Sequence, residues 1–216
     1  APEVGKLCGL ELPLFNELHG KVYLDDVEHV VPRELPLMIW CDPVTLDWGE
    51  EERAELAADP ELAYLTRPLP GGVHFRPEGG RDSRMLLLLF TYHLDALAPV
   101  WPPKFDPWYP EVALRAVAQM VPGFGVYLSD KMERSFVDGG YYCKTAENRL
   151  LVGPTPVAGF HLMCGLSGYG IMAAAAAAEL LGATLTGSTL PEYAAEFRLD
   201  RYDDPALETA GLVIAG

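Results

Sequence analysis

The sequence contains little positive charge. Its 216 residues include 16 Lys and Arg against 31 Asp and Glu, which gives a formal net charge of −15 at pH 7. Such a chain repels phosphate backbones and anionic membrane surfaces. The composition therefore predicts a protein without a nucleic-acid partner.

Cysteine and histidine are also scarce. The four cysteines form no C-x-x-C pair, and the five histidines stand apart, with no H-E-x-x-H and no spacing suited to a metal. We therefore expect reduced thiols and no metal site. The expected location is a reducing compartment, either the cytoplasm or an organelle matrix such as that of the mitochondrion, and not secretion.

Long hydrophobic runs are missing as well. The longest clean apolar run, residues 85–90, has the length of a strand, and the alanine run 173–178 is followed by Glu179. These features predict no membrane span, and the N-terminal residues do not resemble a signal peptide. The chain opens without methionine, so we expect it to be processed, truncated or the downstream piece of a longer protein.

The chain does contain a high proportion of apolar residues in a strand-rich pattern. Half of its residues are hydrophobic, which is typical of a globular protein with one large or two small domains. Apolar runs between turn residues predict strands at 12–14, 21–24, 37–40, 73–76, 85–93, 135–144, 149–152 and 160–165. Helical periodicity and composition predict helices at 2–10, 50–58, 111–121 and 171–186. This order predicts an α+β fold.

The segment with the clearest chemical meaning is Cys-Gly-Leu-Ser-Gly-Tyr-Gly at 164–170. An apolar run precedes it and an alanine run follows it, which predicts a strand, a glycine turn and a helix start. Such a turn directs free backbone N–H groups at an anion. Residues 168–173 also match the dinucleotide fingerprint G-x-G-x-x-A, but no second apolar strand follows, so that interpretation fails. On the pattern alone, a plain tight turn packed against the sheet remains the alternative.

Further motifs occur in a fixed order along the chain. Residues 1–13 read APEVGKLCGLELP, 73–78 read VHFRPE, 139–154 read GGYYCKTAENRLLVGP, 165–170 read GLSGYG and 197–202 read FRLDRY. In order and spacing, across nearly the whole chain, they resemble motifs of the FAD-dependent oxidoreductases related to D-amino-acid oxidase, sarcosine oxidase and dimethylglycine dehydrogenase. Several motifs in register are more specific than any single one.

The resemblance implies a mixed, largely antiparallel substrate-domain sheet with helices, plus C-terminal strands and a helix that complete a FAD-binding domain. Residues 1–15 would be the tail end of the FAD-binding domain, and 16–140 the substrate-binding domain. Residues 141–190 would return to the FAD-binding domain, and 191–216 would form a tail. The family's N-terminal Rossmann unit is absent from this chain. The resemblance therefore implies a partner, either a second chain or a precursor segment, that carries this unit.

The resemblance also implies a site for non-covalent FAD and a small amine or amino-acid substrate. The backbone of the turn would face the flavin ring at Gly165, Leu166, Ser167, Gly168, Tyr169, Gly170 and Ile171. Tyr142 corresponds to an aromatic residue over the flavin, and His93 resembles an active-site histidine; a packed strand tyrosine and a structural histidine are the alternatives. Two positions depart from the family. Met172 replaces a carboxylate-binding lysine, and Gly140 replaces the cysteine that tethers the flavin.

The resulting hypothesis is a portion of a FAD-dependent oxidoreductase. It would oxidise the C–N bond of an amine or amino-acid-like substrate by hydride transfer to flavin. The alternative is a non-catalytic family remnant that serves as a structural subunit of a larger assembly. The intact turn and the aromatic strand favour the enzyme, whereas the missing nucleotide unit and Met172 favour the alternative.

Overall fold

A computed structural model describes residues 1–128 and 135–203. The strands in this part of the chain are β1 (Phe15–Asp25), β2 (Met38–Trp40), β3 (Val73–Pro77), β4 (Met85–Leu89), β5 (Ser135–Lys144), β6 (Leu151–Pro154) and β7 (His161–Cys164). The α-helices are α1 (Pro2–Leu7), α2 (Glu50–Ala58), α3 (Tyr109–Met120) and α4 (Gly170–Thr186).

The strands form two antiparallel sheets. The larger sheet has the order β2-β3-β4-β1-β5, and each of its neighbouring pairs is antiparallel. The smaller sheet pairs β6 with β7. The predicted α+β fold with a largely antiparallel sheet is therefore confirmed. Strand β5 runs across the predicted boundary at residue 140, and the domain limits stay predictions.

The main core lies between one face of the larger sheet and α3. Val22 and Leu24 of β1 belong to this core, as do Val112 and Val117 of α3. Helix α3 has a proline in its first turn, and six consecutive residues, 112–117, are buried, so the middle of the helix is enclosed on all sides. Because side chains alternate along a strand, the odd-numbered residues of β1 lie on the opposite face. That opposite face carries the candidate site.

A second, smaller core packs α4 on the two-stranded sheet. Its buried members are Leu150, Val152, Ala177, Leu180 and Ala194. The helix ends at Gly187, which adopts the left-handed conformation with φ of 69°, as the glycine predicts. The 3₁₀ segments Glu192–Phe197 and Leu199–Asp203 then close this core.

Several predicted boundaries are wrong, most clearly at β1. The strand begins at Phe15, whereas the sequence indicated separate strands at 12–14 and 21–24. The polar residues Asn16, Glu17 and His19 interrupt the apolar pattern, but their backbones pair with β5 along its length. Elsewhere α1 ends at Leu7, β4 ends at Leu89, and α3 begins at Tyr109, two residues before its predicted start. The predicted bounds of α2 and β5 are confirmed.

The helix after the glycine turn is unusually exposed. Within the described residues, the segment Ser167–Thr186 has the length and composition of a membrane-spanning helix, with a mean hydropathy of 1.3. Ile171, Met172, three leucines and the alanines together keep the hydropathy of this segment high despite Glu179. The absence of a span itself stays a prediction. Only 6% of the window is buried, so most of this apolar surface faces outward.

We expect Tyr127→Phe to lower the free energy of unfolding by about 1–2 kcal/mol. The Tyr127 hydroxyl donates to Asp26 Oδ1 at 2.5 Å and accepts from the Glu28 backbone N–H at 2.9 Å. Removing it takes one hydrogen bond from the Glu28 backbone and one from the buried Asp26 carboxylate, which still accepts from the Val30 and Val31 N–H groups, and leaves no large cavity. Urea unfolding would measure the change. An unaltered midpoint would contradict the assignment of this bond as a stabilising contact.

Candidate functional site

The glycine turn forms as the sequence predicts. Strand β7 ends at Cys164, Gly165 takes a φ of 70°, a short 3₁₀ turn covers Ser167–Tyr169, and α4 begins at Gly170. No side chain in the described part of the protein caps this helix start through a hydrogen bond. The start of α4 therefore lacks a side-chain cap, and the helix dipole favours negative charge there.

Only some of the glycines in the turn lie where an added side chain would clash with a neighbour or strain the backbone. Gly165 adopts a left-handed φ, and a Cβ there would lie 2.9 Å from Leu14 Cδ2. A Cβ on Gly168 would overlap the Tyr142 ring at Cε2, well inside van der Waals contact. At Gly170, by contrast, the nearest atom would be Leu166 Cβ at 3.4 Å. The turn is therefore fitted most closely to Tyr142.

Two side chains of the turn pack inward, and the first one after it is exposed. Leu166 and Tyr169 pack on the second core, and the Tyr169 hydroxyl donates to the Asn148 carbonyl at 2.7 Å. Burial raises the pKa of Tyr169. Ile171 is 97% exposed. The contact of this segment's backbone with a flavin stays a prediction.

Tyr142 lies over a buried polar network on the sheet face opposite α3. Its ring stacks on the His19 imidazole, with centroids 4.0 Å apart and planes at 23°. His19 Nε2 is 2.7 Å from Glu17 Oε1, and its Nδ1 is 2.9 Å from Thr91 Oγ1. Lys144 Nζ donates to the same Glu17 oxygen at 3.2 Å. The sequence predictions missed this network because they placed no strand at 15–20; polar residues at alternate positions there were the available signal.

Burial lowers the pKa of His19, although the hydrogen bond and charge of Glu17 act in the opposite direction and Lys144 adds to the lowering. Burial also lowers the pKa of His74, whose Nδ1 lies 2.8 Å from the Gly72 carbonyl oxygen. Both rings are therefore neutral in the folded protein at pH 7.

This predicts acid destabilisation that begins at histidine titration. In the unfolded chain both histidines take a proton near pH 6.5, whereas the folded protein resists protonation. Stability is then fully present above that pH and falls as the pH drops through the folded values. Urea unfolding at a series of pH values from about 8 to about 5.5 would measure the slope. A flat profile over this interval would contradict the prediction.

His93 belongs to a different cluster. Its Nε2 lies 3.3 Å from Asp106 Oδ2, which also accepts from the Tyr64 hydroxyl at 2.6 Å and the Tyr92 hydroxyl at 3.0 Å. Burial alone would raise the pKa of Asp106, but hydrogen bonds from Tyr64, the Trp108 backbone N–H and His93 outweigh it and lower the pKa. The cluster borders a cavity of about 240 Å³. A carboxylate that orients a half-exposed imidazole is an arrangement that suits proton transfer.

The structure thus places Tyr142 against the glycine turn, whereas His93 lies in a separate cluster with Asp106. Within the described residues, His93 contacts Tyr64, Tyr92 and Asp106. The two clusters are linked by the chain segment that follows β4. In that segment Thr91 lies two residues before His93 and hydrogen-bonds His19. The catalytic roles of Tyr142 and His93 stay predictions.

Two cysteines flank the turn. Cys143 lies on β5 and Cys164 ends β7, and all four cysteines of the chain are free thiols. Burial raises the pKa of Cys143, and it raises the pKa of Cys164 to about 11. Both sulfurs are therefore protonated and poorly nucleophilic at neutral pH.

Comparison with known proteins gives a likeness of fold. No protein-family model matches the sequence, and no curated protein gives a significant match. The chain is similar to a crystal structure of L-proline dehydrogenase from P. horikoshii, with a TM-score of 0.53 and 13% identity, over 89% of this chain and 41% of that one. The deglycating enzyme fructosamine oxidase from Aspergillus fumigatus gives a TM-score of 0.44 and 13% identity, over 87% and 40%. The chain therefore spans about two fifths of the length of these structures.

Proposed function

We propose that this chain forms the substrate domain and the flavin-ring side of a FAD-dependent oxidoreductase that oxidises the C–N bond of an amine or amino acid. The observation that carries the proposal is the uncapped helix start beside Tyr142, in a fold similar to part of an L-proline dehydrogenase. The sequence motifs that resemble this family support it independently.

The residues present fit such a cofactor. The backbone amides from Gly165 to Ile171 would hold the edge of the flavin ring, and the Tyr142 ring would lie beside it. When bound, the flavin supplies the two-electron acceptor for the C–N bond. The amides and dipole of α4 favour negative charge at that edge, which assists a reaction that develops charge there. Non-covalent binding is supported by glycine at position 140 and by the protonated, half-buried Cys143 thiol.

A partner segment with the nucleotide-binding unit is part of this proposal. Ile171, Met172 and Leu185 of α4 are 97%, 81% and 60% exposed, and the adjacent sheet has two strands within residues 1–128 and 135–203. A two-stranded sheet with one uncovered helix is marginal in isolation. We infer that the missing unit extends this sheet and covers the helix. A reducing compartment remains our proposed location.

The test is reconstitution of the complete protein with its nucleotide-binding segment. Purification should yield bound flavin whose absorbance bleaches without oxygen on addition of a secondary amine or an amino acid, with L-proline as the first probe. A protein that retains no flavin with this segment present would favour the structural-subunit alternative. Retained flavin that no amine bleaches would overturn the assignment of the C–N bond.

A further inference from the structure

The polar network under Tyr142 leaves its histidine with no free nitrogen. The buried Glu17 Oε1 accepts from Lys144 Nζ at 3.2 Å and, 2.7 Å from His19 Nε2, accepts the proton of that nitrogen as well. His19 Nδ1 then accepts from the Thr91 hydroxyl. This neutral tautomer uses both ring nitrogens, and the imidazole is only 8% exposed. It cannot exchange a proton with a ligand without breaking one of these bonds.

The face of the His19 ring remains available for contact, and the Tyr142 ring stacks on it. His19 pairs across the strands with Gly140, and an added Cβ there would meet nothing within 4 Å, so this position does not constrain either ring. Tyr142 in turn lies against Gly168 of the turn. The ring is therefore in contact with the imidazole and with the helix start together.

We propose that His19 is a positioning residue for the candidate site: it fixes the Tyr142 ring beside the glycine turn, while Glu17 and Thr91 fix His19. Burying charged groups costs free energy, so a network of this kind adds little to the stability of the fold. Its main effect is to restrict the orientation of its side chains. The consequence for flavin retention and substrate binding rests on the proposed function. The restriction of Tyr142 itself does not.

The experiment compares variants in the complete protein, with the nucleotide-binding segment present. His19→Leu removes the stacking and the hydrogen bonds, and His19→Phe keeps a ring but not the bonds. Thr91→Val removes one bond and serves as the milder change. His161→Leu, at the start of β7, is the matched control.

Two readouts separate the claims. The ring signal of Tyr142 in isotope-labelled tyrosine NMR, assigned by its loss in Tyr142→Phe, should shift and broaden in His19→Leu, shift less in Thr91→Val, and stay unchanged in His161→Leu. Flavin retention should weaken up to about tenfold in His19→Leu and recover in part in His19→Phe, because aromatic stacking is worth about one tenfold step. An unchanged Tyr142 signal in both His19→Leu and Thr91→Val would overturn the inference. A parent protein without flavin would overturn the proposed function, while the NMR signal still decides the role of His19.

Discussion

Replacing Arg201 by methionine is expected to remove about 3–5 kcal/mol from the free energy of unfolding, because it leaves a buried carboxylate without its cation. The Arg201 side chain is fully buried and pairs with Glu147. It also donates to the carbonyl oxygens of Leu150 and Arg149, at 2.9 and 3.0 Å. Tyr202 donates to the same carboxylate at 2.7 Å. These contacts tie the C-terminal 3₁₀ segment to the turn between β5 and β6.

The pKa of Glu147 supports the same stabilising role for the pair with Arg201. Burial would raise the pKa of Glu147, but hydrogen bonds from Tyr202 and Arg201 outweigh it and hold the pKa below its usual range. The pair therefore contributes stability at neutral pH that is lost as the pH falls through the folded value. Without the guanidinium, the carboxylate must either stay charged and unpaired or take up a proton on folding.

The matched control is Arg198→Met in the same segment. Arg198 pairs with Asp200 at the surface, where such pairs contribute about 0–1 kcal/mol. The double variant Arg201→Met with Glu147→Leu should recover part of the loss, since it removes the unpaired charge. Chemical unfolding of all four proteins would measure these differences. Equal losses of unfolding free energy in Arg201→Met and Arg198→Met would show that the buried pair contributes no more stability than the exposed one.

Gly168→Ala is expected to reduce flavin retention by tenfold or more, about 1.4 kcal/mol or greater. The new Cβ would occupy the space of the Tyr142 ring, so either the ring or the turn has to move. Both are parts of the surface on which we place the flavin edge. Equilibrium dialysis or the flavin content after purification would measure the change.

Two other glycines make the comparison specific. Gly170→Ala should cost less, because its Cβ meets only Leu166 at 3.4 Å and the backbone amide remains. Gly182→Ala, in the interior of α4 with nothing near its Cβ, should leave flavin retention unchanged and stabilise the helix by up to about 1 kcal/mol. Equal flavin retention in Gly168→Ala and Gly182→Ala would sink the placement of the flavin at this turn.

The sequence predicted best what depends on neighbours along the chain. The glycine turn and the end of α4 at Gly187 follow from backbone freedom, and the length of α4 follows from the helix propensity of alanine. The motif order indicated the kind of fold, and the similarity to L-proline dehydrogenase agrees with it at the level of fold. Boundaries failed where polar residues lie inside the structure, as in the first half of β1.

The tertiary structure alone decided which residues share the candidate site. Tyr142 and His93 were both selected from the sequence, but only Tyr142 contacts the turn, while His93 bonds Asp106. His19 was not selected, since no local pattern marks a lone histidine between Leu18 and Gly20 until the pairing of β1 with β5 buries it. Strand register joins positions that are far apart in the chain, and no local pattern encodes that register. The sequence by itself thus determined the glycine turn and the helix that follows it. Cross-strand packing determined that this turn packs against the Tyr142 ring, which stacks on His19.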